Sequence, residues 1–273
     1  MKPSQESLEA FIIDTIDGSD RKWTQVALEN GICSKNEVSR RDVRRAARKL
    51  IDLGHIGYVY EYGSTYLTKS IGGPVRLTDR LVLVPYNRSY AKTRKEAVLR
   101  LLPGVSFGDG SHPTTRLAGK GIEYITRHLI FDGDDEDMAV LDIGTGTGVL
   151  LIAAVLLGAQ TGVGIDIDPC SIHEARQNVI LNQLSDRITI RKGTAADIDA
   201  AFPLIIANLR LPTLTTLRPW IAEHLTPGGL VLFSGIRSSE RQRLLNRYGR
   251  KHFEAVWAAE ELTWATVALK RTG

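Results

Sequence analysis

Val140-Leu141-Asp142-Ile143-Gly144-Thr145-Gly146-Thr147-Gly148-Val149, answered by Gly164-Ile165-Asp166-Ile167-Asp168-Pro169, decides the fold of this chain. The first run reads as a buried strand, a glycine turn and the start of a helix; the second reads as a strand ending on a carboxylate. That order places a binding site at the carboxyl edge of a parallel sheet. The glycine spacing restricts the ligand. A dinucleotide fold needs G-x-G-x-x-G, whose third glycine would stand at position 149, and that residue is Val149. Here the glycines fall at 144, 146 and 148.

The 273 residues suffice for one large domain or two modest ones, and 43% apolar with 24% charged residues is an ordinary globular composition. No apolar run reaches the length of a membrane span, and Met1–Glu6 leads into no signal-peptide core. Cys33 and Cys170 stand far apart without metal-ligand spacing, so no metal site is expected and a reducing, cytoplasmic setting is. The net charge of +4 says little by itself; its distribution says more.

Outward from the glycine motif, the chain divides into 1–70, a connecting segment 71–106, and 107–273. The first part reads as an apolar helix (Leu8, Phe11, Ile12, Ile16), a short helix around 24–29, and a longer one from about Lys35 to Leu53. Two alternating segments, 55–61 and 64–68, then join through Tyr62-Gly63-Ser64 as a hairpin. Three helices and a hairpin resemble a winged helix-turn-helix. The third helix carries Arg40, Arg44 and Arg48 in one row, with Arg41, Arg45 and Lys49 beside it. In a nucleic-acid reader such a face meets phosphates or base edges. The same face reads equally as a solvated helix side or a protein-docking surface, because residues 1–70 hold 11 Lys/Arg against 10 Asp/Glu. The connection is basic, with a strand expected at 80–85 and a helix near 95–102. The acidic run Asp132–Asp137 reads as an exposed loop.

From about Thr114, helices and strands alternate, which gives an α/β, Rossmann-like sheet. Strands are expected at 139–143, 162–166, 188–191, 204–207, 230–234, 254–259 and 263–270, with helices at 149–157, 170–182, 212–224 and 239–248. The last two strands are separated only by a short turn and pair antiparallel at one edge.

Gly144, Gly146 and Gly148 allow backbone angles closed to other residues and let a ligand approach the main chain, with Asp142 just before the turn. Asp166 ends the second strand, where a carboxylate accepts hydrogen bonds from both hydroxyls of a ribose. Asp168, followed by Pro169, reads instead as a helix cap. A resemblance to S-adenosylmethionine enzymes implies an adenine beside Gly193-Thr194-Ala195-Ala196, held by Thr194 or a backbone group. Asn208, at the end of a further strand, offers both donor and acceptors. His112, in a Gly/Pro-rich loop, reads as a brace rather than a general base.

The glycine spacing and the antiparallel edge hairpin are similar to those of class I S-adenosylmethionine (SAM) methyltransferases. The stretch Phe107-Gly108-Asp109-Gly110-Ser111-His112-Pro113-Thr114-Thr115, the run Pro203–Leu209 and Phe233-Ser234-Gly235-Ile236 narrow this further. Together they resemble the bacterial ribosomal-protein methyltransferases that act on large-subunit protein L-eleven, over roughly residues 100–271. That resemblance implies SAM as cofactor, with Phe107, Thr115, Gly144, Asp166 and Ile167 at cofactor positions and Asn208 and Leu209 lining the site of methyl transfer. Asp109 stands where the family usually has threonine, and Pro203 where it usually has aspartate. The N-terminal module also differs from the family's small α/β domain.

The expected function is thus methyl transfer to a nitrogen on a protein, with a ribosomal protein as the partner that the resemblance implies. Two rivals stand beside it: a methyltransferase for nucleic acids or small molecules targeted by the first seventy residues, and a SAM-sensing DNA-binding regulator without catalysis.

Overall fold

The computed structural model describes residues 4–17, 23–34, 37–53, 55–61, 64–69, 74–102, 112–129, 138–249 and 252–272. Asp132–Asp137, the Tyr62-Gly63 turn and 103–111, including Phe107 and Asp109, lie outside them. The chain forms two compact units, one of residues 1–74 with 103–106 and one of 75–102 with 107–273.

In the first unit, α1 (Gln5–Asp17), α2 (Gln25–Cys33) and α3 (Arg40–Asp52) precede an antiparallel hairpin of β1 (Ile56–Glu61) and β2 (Ser64–Lys69). An isolated bridge joins Trp23 to Leu67. The third helix starts at Arg40 rather than near Lys35, because Ser39 caps it by accepting the Asp42 N–H at 3.2 Å. Val43, Ala46, Ala47 and Leu50 recur at helical spacing and pack with Leu8, Ile12, Leu28, Ile32, Ile56 and Leu67. That packing leaves the arginine face of α3 outside.

The second unit opens with β3 (Val75–Arg76), β4 (Leu81–Pro85) and β5 (Ala97–Leu101), a three-stranded sheet in which β4 and β5 run parallel. The helix expected near 95–102 is therefore a strand. Its Leu99 and Leu101 are buried in the main core with Leu81 and Leu83, and pairing with β4 outweighs local propensity. The described part of 71–106 thus contributes core residues to this unit.

There follow α4 (Pro113–His128), β6 (Ala139–Ile143), α5 (Val149–Leu157), β7 (Thr161–Asp166), α6 (Pro169–Leu181), β8 (Ile188–Lys192), β9 (Phe202–Asn208), α7 (Leu211–His224), β10 (Leu225–Arg237), α8 (Arg241–Tyr248), β11 (Phe253–Glu261) and β12 (Trp264–Arg271). The seven-stranded sheet runs β11-β12-β10-β9-β6-β7-β8, with β11 and β12 antiparallel at one edge. This is the α/β arrangement of a class I methyltransferase sheet. Alternate residues of β9 and β10 serve opposite faces. Leu204, Ile206, Leu230 and Leu232 face the core that α4 and α5 share, while Ile205, Ala207, Val231 and Phe233 face the one that α7 and α8 cover. A sheet covered on both sides needs such unbroken apolar runs.

Asn178 of α6 and Asn182, which caps that helix, tie the small sheet to the large one. Asn182 accepts the Arg100 N–H at 2.8 Å and donates to the Arg100 carbonyl at 2.7 Å. Asn178, buried, accepts the Leu102 N–H and donates to the Thr147 carbonyl of the glycine turn, both at 2.9 Å. No described helix is long and apolar enough to cross a membrane.

Candidate cofactor and methyl-transfer site

The strand order reverses at β6, which has β7 on one side and β9 on the other. Ligands of open α/β sheets bind at that point, beyond the carboxyl ends of the strands. A cavity of about 450 Å³ lies there, within the range of small-ligand sites. Of the expected site residues it is lined by Asp142, Gly144, Gly146, Asp166, Ile167, Thr194, Asn208 and Leu209.

The glycine turn is built as the spacing requires. Gly144, Gly146 and Gly148 have φ of +74°, +54° and +80°. At Gly144 a Cβ would stand 2.7 Å from Leu209 Cδ2, so the turn and the end of β9 close together only because that side chain is missing. Gly148 caps α5 without a side chain and is not among the described lining residues. Asp142 stands in for that missing cap. Its Oδ2 accepts the Thr145 hydroxyl at 2.8 Å, and its carboxyl also takes a backbone hydrogen bond from Leu151 in the first turn of α5.

Burial pushes the Asp142 carboxyl up to about 7, and the nearby Asp166 carboxylate adds to the rise. Asp166 Oδ2 accepts the Gly146 N–H and Oδ1 the Asp168 N–H, each at 3.0 Å. A carboxylate has about four acceptor sites, so two remain for a ligand. Asp168 caps α6 by accepting the Cys170 N–H at 3.0 Å, as its proline neighbour suggested. Thr194 donates its N–H and hydroxyl to Asp197 Oδ2 at 2.7 and 2.9 Å, leaving its oxygen as an acceptor at the cavity. Ile167 is exposed and presents an apolar side chain to the same cavity.

Asn208 and Leu209 line the cavity at the end of β9, braced by β10. Leu209 donates its N–H to the Ser234 carbonyl at 3.1 Å. At Gly235, with φ +80°, a Cβ would stand 2.6 Å from the Leu209 carbonyl and 3.0 Å from Asn208 Oδ1. Thr115 is fully buried, its Oγ1 has no hydrogen-bond partner, and it is not among the described lining residues. Phe107 falls outside the described residues. His112 braces rather than faces the cavity: its side chain caps α4 through the Thr114 N–H and its ring meets Trp264 edge-on at 4.9 Å. Ser171, Thr213 and Leu217 also line the cavity. They come from helix faces that carry no motif, so no local signal marks them.

The described lining holds two carboxylates and neither Lys nor Arg. Such a site disfavours a pyrophosphate and favours a ligand with cationic groups on a ribose and an apolar ring. These residues fit SAM. Among the described residues, no group of three or more His, Cys, Asp or Glu could hold a metal ion.

The basic face of α3 is partly committed to ion pairs. Arg44 donates Nε and Nη2 to Glu29 at 2.9 Å each, and that pairing holds the buried Glu29 carboxyl below its ordinary range. Lys49 grips both oxygens of Glu9 at 2.9 and 3.0 Å, and Arg45 pairs with Asp42 at 3.2 Å. Arg40, Arg41 and Arg48 are exposed and make no ion pair among the described residues.

A profile of the ribosomal protein L11 methyltransferase (PrmA) family matches residues 67–272. The ribosomal protein L11 methyltransferase of Geotalea uraniireducens is 32% identical over 201 residues, covering 72% of this chain and 64% of that protein. That of Clostridium botulinum strain Eklund 17B is 33% identical over 198 residues, covering 72% and 60%. The chain thus spans less than two thirds of the length of these curated relatives. The crystal structure of ribosomal protein L11 methylase from Lactobacillus delbrueckii subsp. bulgaricus aligns with a TM-score of 0.65 at 32% identity, covering 74% of this chain and 100% of that one. With the glycine turn, the two strand-end carboxylates and Asn208 in place, the chain belongs to the ribosomal protein L11 methyltransferase family.

Proposed function

We propose that this chain is a SAM-dependent methyltransferase that acts on a protein nitrogen, with ribosomal protein L11 as the first acceptor to test. The observation that carries the proposal is one cavity lined by Asp142, Asp166 and the glycine turn together with Asn208 and Leu209. Bound there, SAM supplies a methyl group on a positively charged sulfur.

The residues of the chain position and desolvate. Asp166 holds the ribose, Ile167 and Thr194 flank the adenine, and the Asp142 charge favours the cationic end. Asn208 orients the amino group of the cofactor or the incoming amine, and Leu209 walls the mouth. Such alignment is worth roughly 7–11 kcal/mol of barrier in well-oriented systems. A lysine acceptor has a reference pKa of about 10.4 and reacts only as the neutral amine, so an apolar wall such as Leu209 assists by disfavouring its charged form. Phe107, Thr115 and Gly148 complete the proposed cofactor set, through the resemblance of the loop before α4 and through the turn itself. The first unit, winged-helix-like in its order of three helices and a hairpin, selects the partner. The setting is cytoplasmic, in keeping with two free cysteines.

The test is transfer of radiolabelled methyl from SAM to purified L11, and to a lysate separated into protein, nucleic-acid and small-molecule fractions. Label in protein is the expected result. Label confined to RNA or DNA would transfer the proposal to a nucleic-acid methyltransferase guided by Arg40, Arg41 and Arg48. SAM binding with no label in any fraction would leave a SAM sensor. Asn208→Ala is expected to lower turnover by about 10- to 100-fold while SAM affinity changes by less than about threefold, because an orienting contact acts mainly in the transition state. Equal turnover of the two proteins would retire Asn208 from that role.

A further inference from the structure

Next in the chain to Asn208 and Leu209 begins a cluster that the proposed chemistry does not use. Trp264 begins β12 and is the cross-strand partner of Arg237 on β10. The Arg237 guanidinium carbon stands 3.8 Å from the Trp264 ring centroid and that of Arg210 stands 5.5 Å from it. Arg210 directly follows Leu209 and precedes α7, and Gly235 packs its backbone against Asn208 and Leu209 two residues before Arg237. Both guanidiniums are thus held near one indole, close in the chain to the residues of methyl transfer.

Their hydrogen-bonding edges are largely uncommitted. Arg237 spends one N–H on Thr263 Oγ1 at 2.7 Å. Arg210 makes no hydrogen bond or ion pair with another described residue, and both residues are exposed. A guanidinium resting on an aromatic face keeps its planar fork of donors in a fixed orientation, suited to a planar carboxylate.

We infer that Arg210, Arg237 and Trp264 form an acceptor subsite that takes a carboxylate of the protein substrate, next to the amine to be methylated. This rests on the protein-methyltransferase reading above. The surrounding charge favours one carboxylate over a nucleic-acid backbone. Arg116 and Lys120 already meet Glu261, Arg241 meets Glu260 at 3.1 Å, and Glu240 accepts the Arg237 backbone N–H at 2.8 Å. A run of phosphates would lie against those three carboxylates. A single acidic group needs only the two open guanidiniums.

The subsite is tested on the full chain with a rhodamine-labelled hexapeptide that carries one glutamate among serines and glycines, read by anisotropy at about 50 mM salt, where surface charges are little screened. Labelled oligothymidylate of equal length is the competitor class. The peptide is expected to bind, and Arg210→Ala/Arg237→Ala to weaken it by about tenfold or more while SAM affinity is unchanged. In methyl transfer to L11, the same pair of changes raises KM and leaves kcat nearly constant. Trp264→Phe, which keeps an aromatic face, loses less than Trp264→Leu. The subsite is overturned if the double variant binds the peptide as well as the wild type, if neither protein binds it, or if oligothymidylate binds better through the same arginines. Peptide binding is read without methyl transfer, so failure of L11 as acceptor is a separate result.

Discussion

Asp166→Ala is expected to weaken SAM binding by about a hundredfold, close to 2.7 kcal/mol. The carboxylate ends β7 with two acceptor sites engaged by the Gly146 and Asp168 N–H groups and two remaining for the ribose hydroxyls. Hydrogen bonds to a charged acceptor are worth about 1.5–3 kcal/mol each, and water recovers part of that when the carboxylate is removed. Some of the loss comes from the turn itself, because Gly146 loses the acceptor that fixes its N–H. Asp166→Asn separates the two contributions. Its amide oxygen can still serve Gly146, so a loss nearer tenfold is expected. Calorimetry on both variants gives the answer. Affinity unchanged in Asp166→Ala would remove the residue from the site. Equal losses in the two variants would make its charge, rather than its support of the turn, the dominant contribution.

Asp142→Asn is expected to stabilise the ligand-free chain and to impair binding at the same time. The carboxyl is buried and titrates at about 7, against a reference near 3.8. Between those values the folded chain holds a proton that the unfolded chain releases. Stability conferred by this group is therefore fully present below about pH 4 and is lost as pH rises through about 7. At pH 8 the fold carries a buried charge at a cost of roughly 4 kcal/mol. Asparagine removes that charge and still offers an acceptor to the first turn of α5, with the Thr145 hydroxyl free to turn round and accept from its amide. The variant should melt higher at pH 8, and the advantage should vanish near pH 4.

Binding carries the opposite sign. A cationic ligand favours the ionised carboxyl, so wild-type SAM affinity should drop about tenfold from pH 8 to pH 6, while Asp142→Asn shows a weaker and flatter profile. Identical melting of the two proteins at pH 8, or parallel pH profiles, would show that Asp142 is not the titrating group. Asp166→Ala adds a cross-check, since loss of its charge should lower the pH at which Asp142 titrates.

The second unit was legible because its signals are local. The run 139–143 became β6 and 149–157 became α5 with those same bounds, and Asp168 caps α6 as its Pro169 neighbour predicted. A glycine turn, a strand-end carboxylate and an apolar run each state their role within a few residues. The stretch 95–102 failed for the converse reason. Lys95, Glu96 and Arg100 are spaced as on a solvated helix, while the decisive interactions are non-local. Those are the pairing with β4, the burial of Leu99 and Leu101, and the Asn178 and Asn182 amides more than seventy residues away. The Arg210–Trp264–Arg237 cluster was invisible likewise, because three separate segments meet only once the sheet is formed. In α3 the row of basic residues was readable but its commitments were not, since Glu9 and Glu29 sit on other helices.

The small sheet bears on where this unit can be cut. Nearly every residue of α5 is buried, and part of what covers it is Leu81, Leu83, Leu99 and Leu101. A fragment beginning at residue 107 would strip that cover and leave Asn178 and Asn182 without the backbone groups they hold. It is expected to be insoluble or molten, whereas one beginning near residue 74 should melt cooperatively. Any exchange of the first unit for another targeting module, by laboratory fusion or by recombination, is then tolerated only upstream of β3.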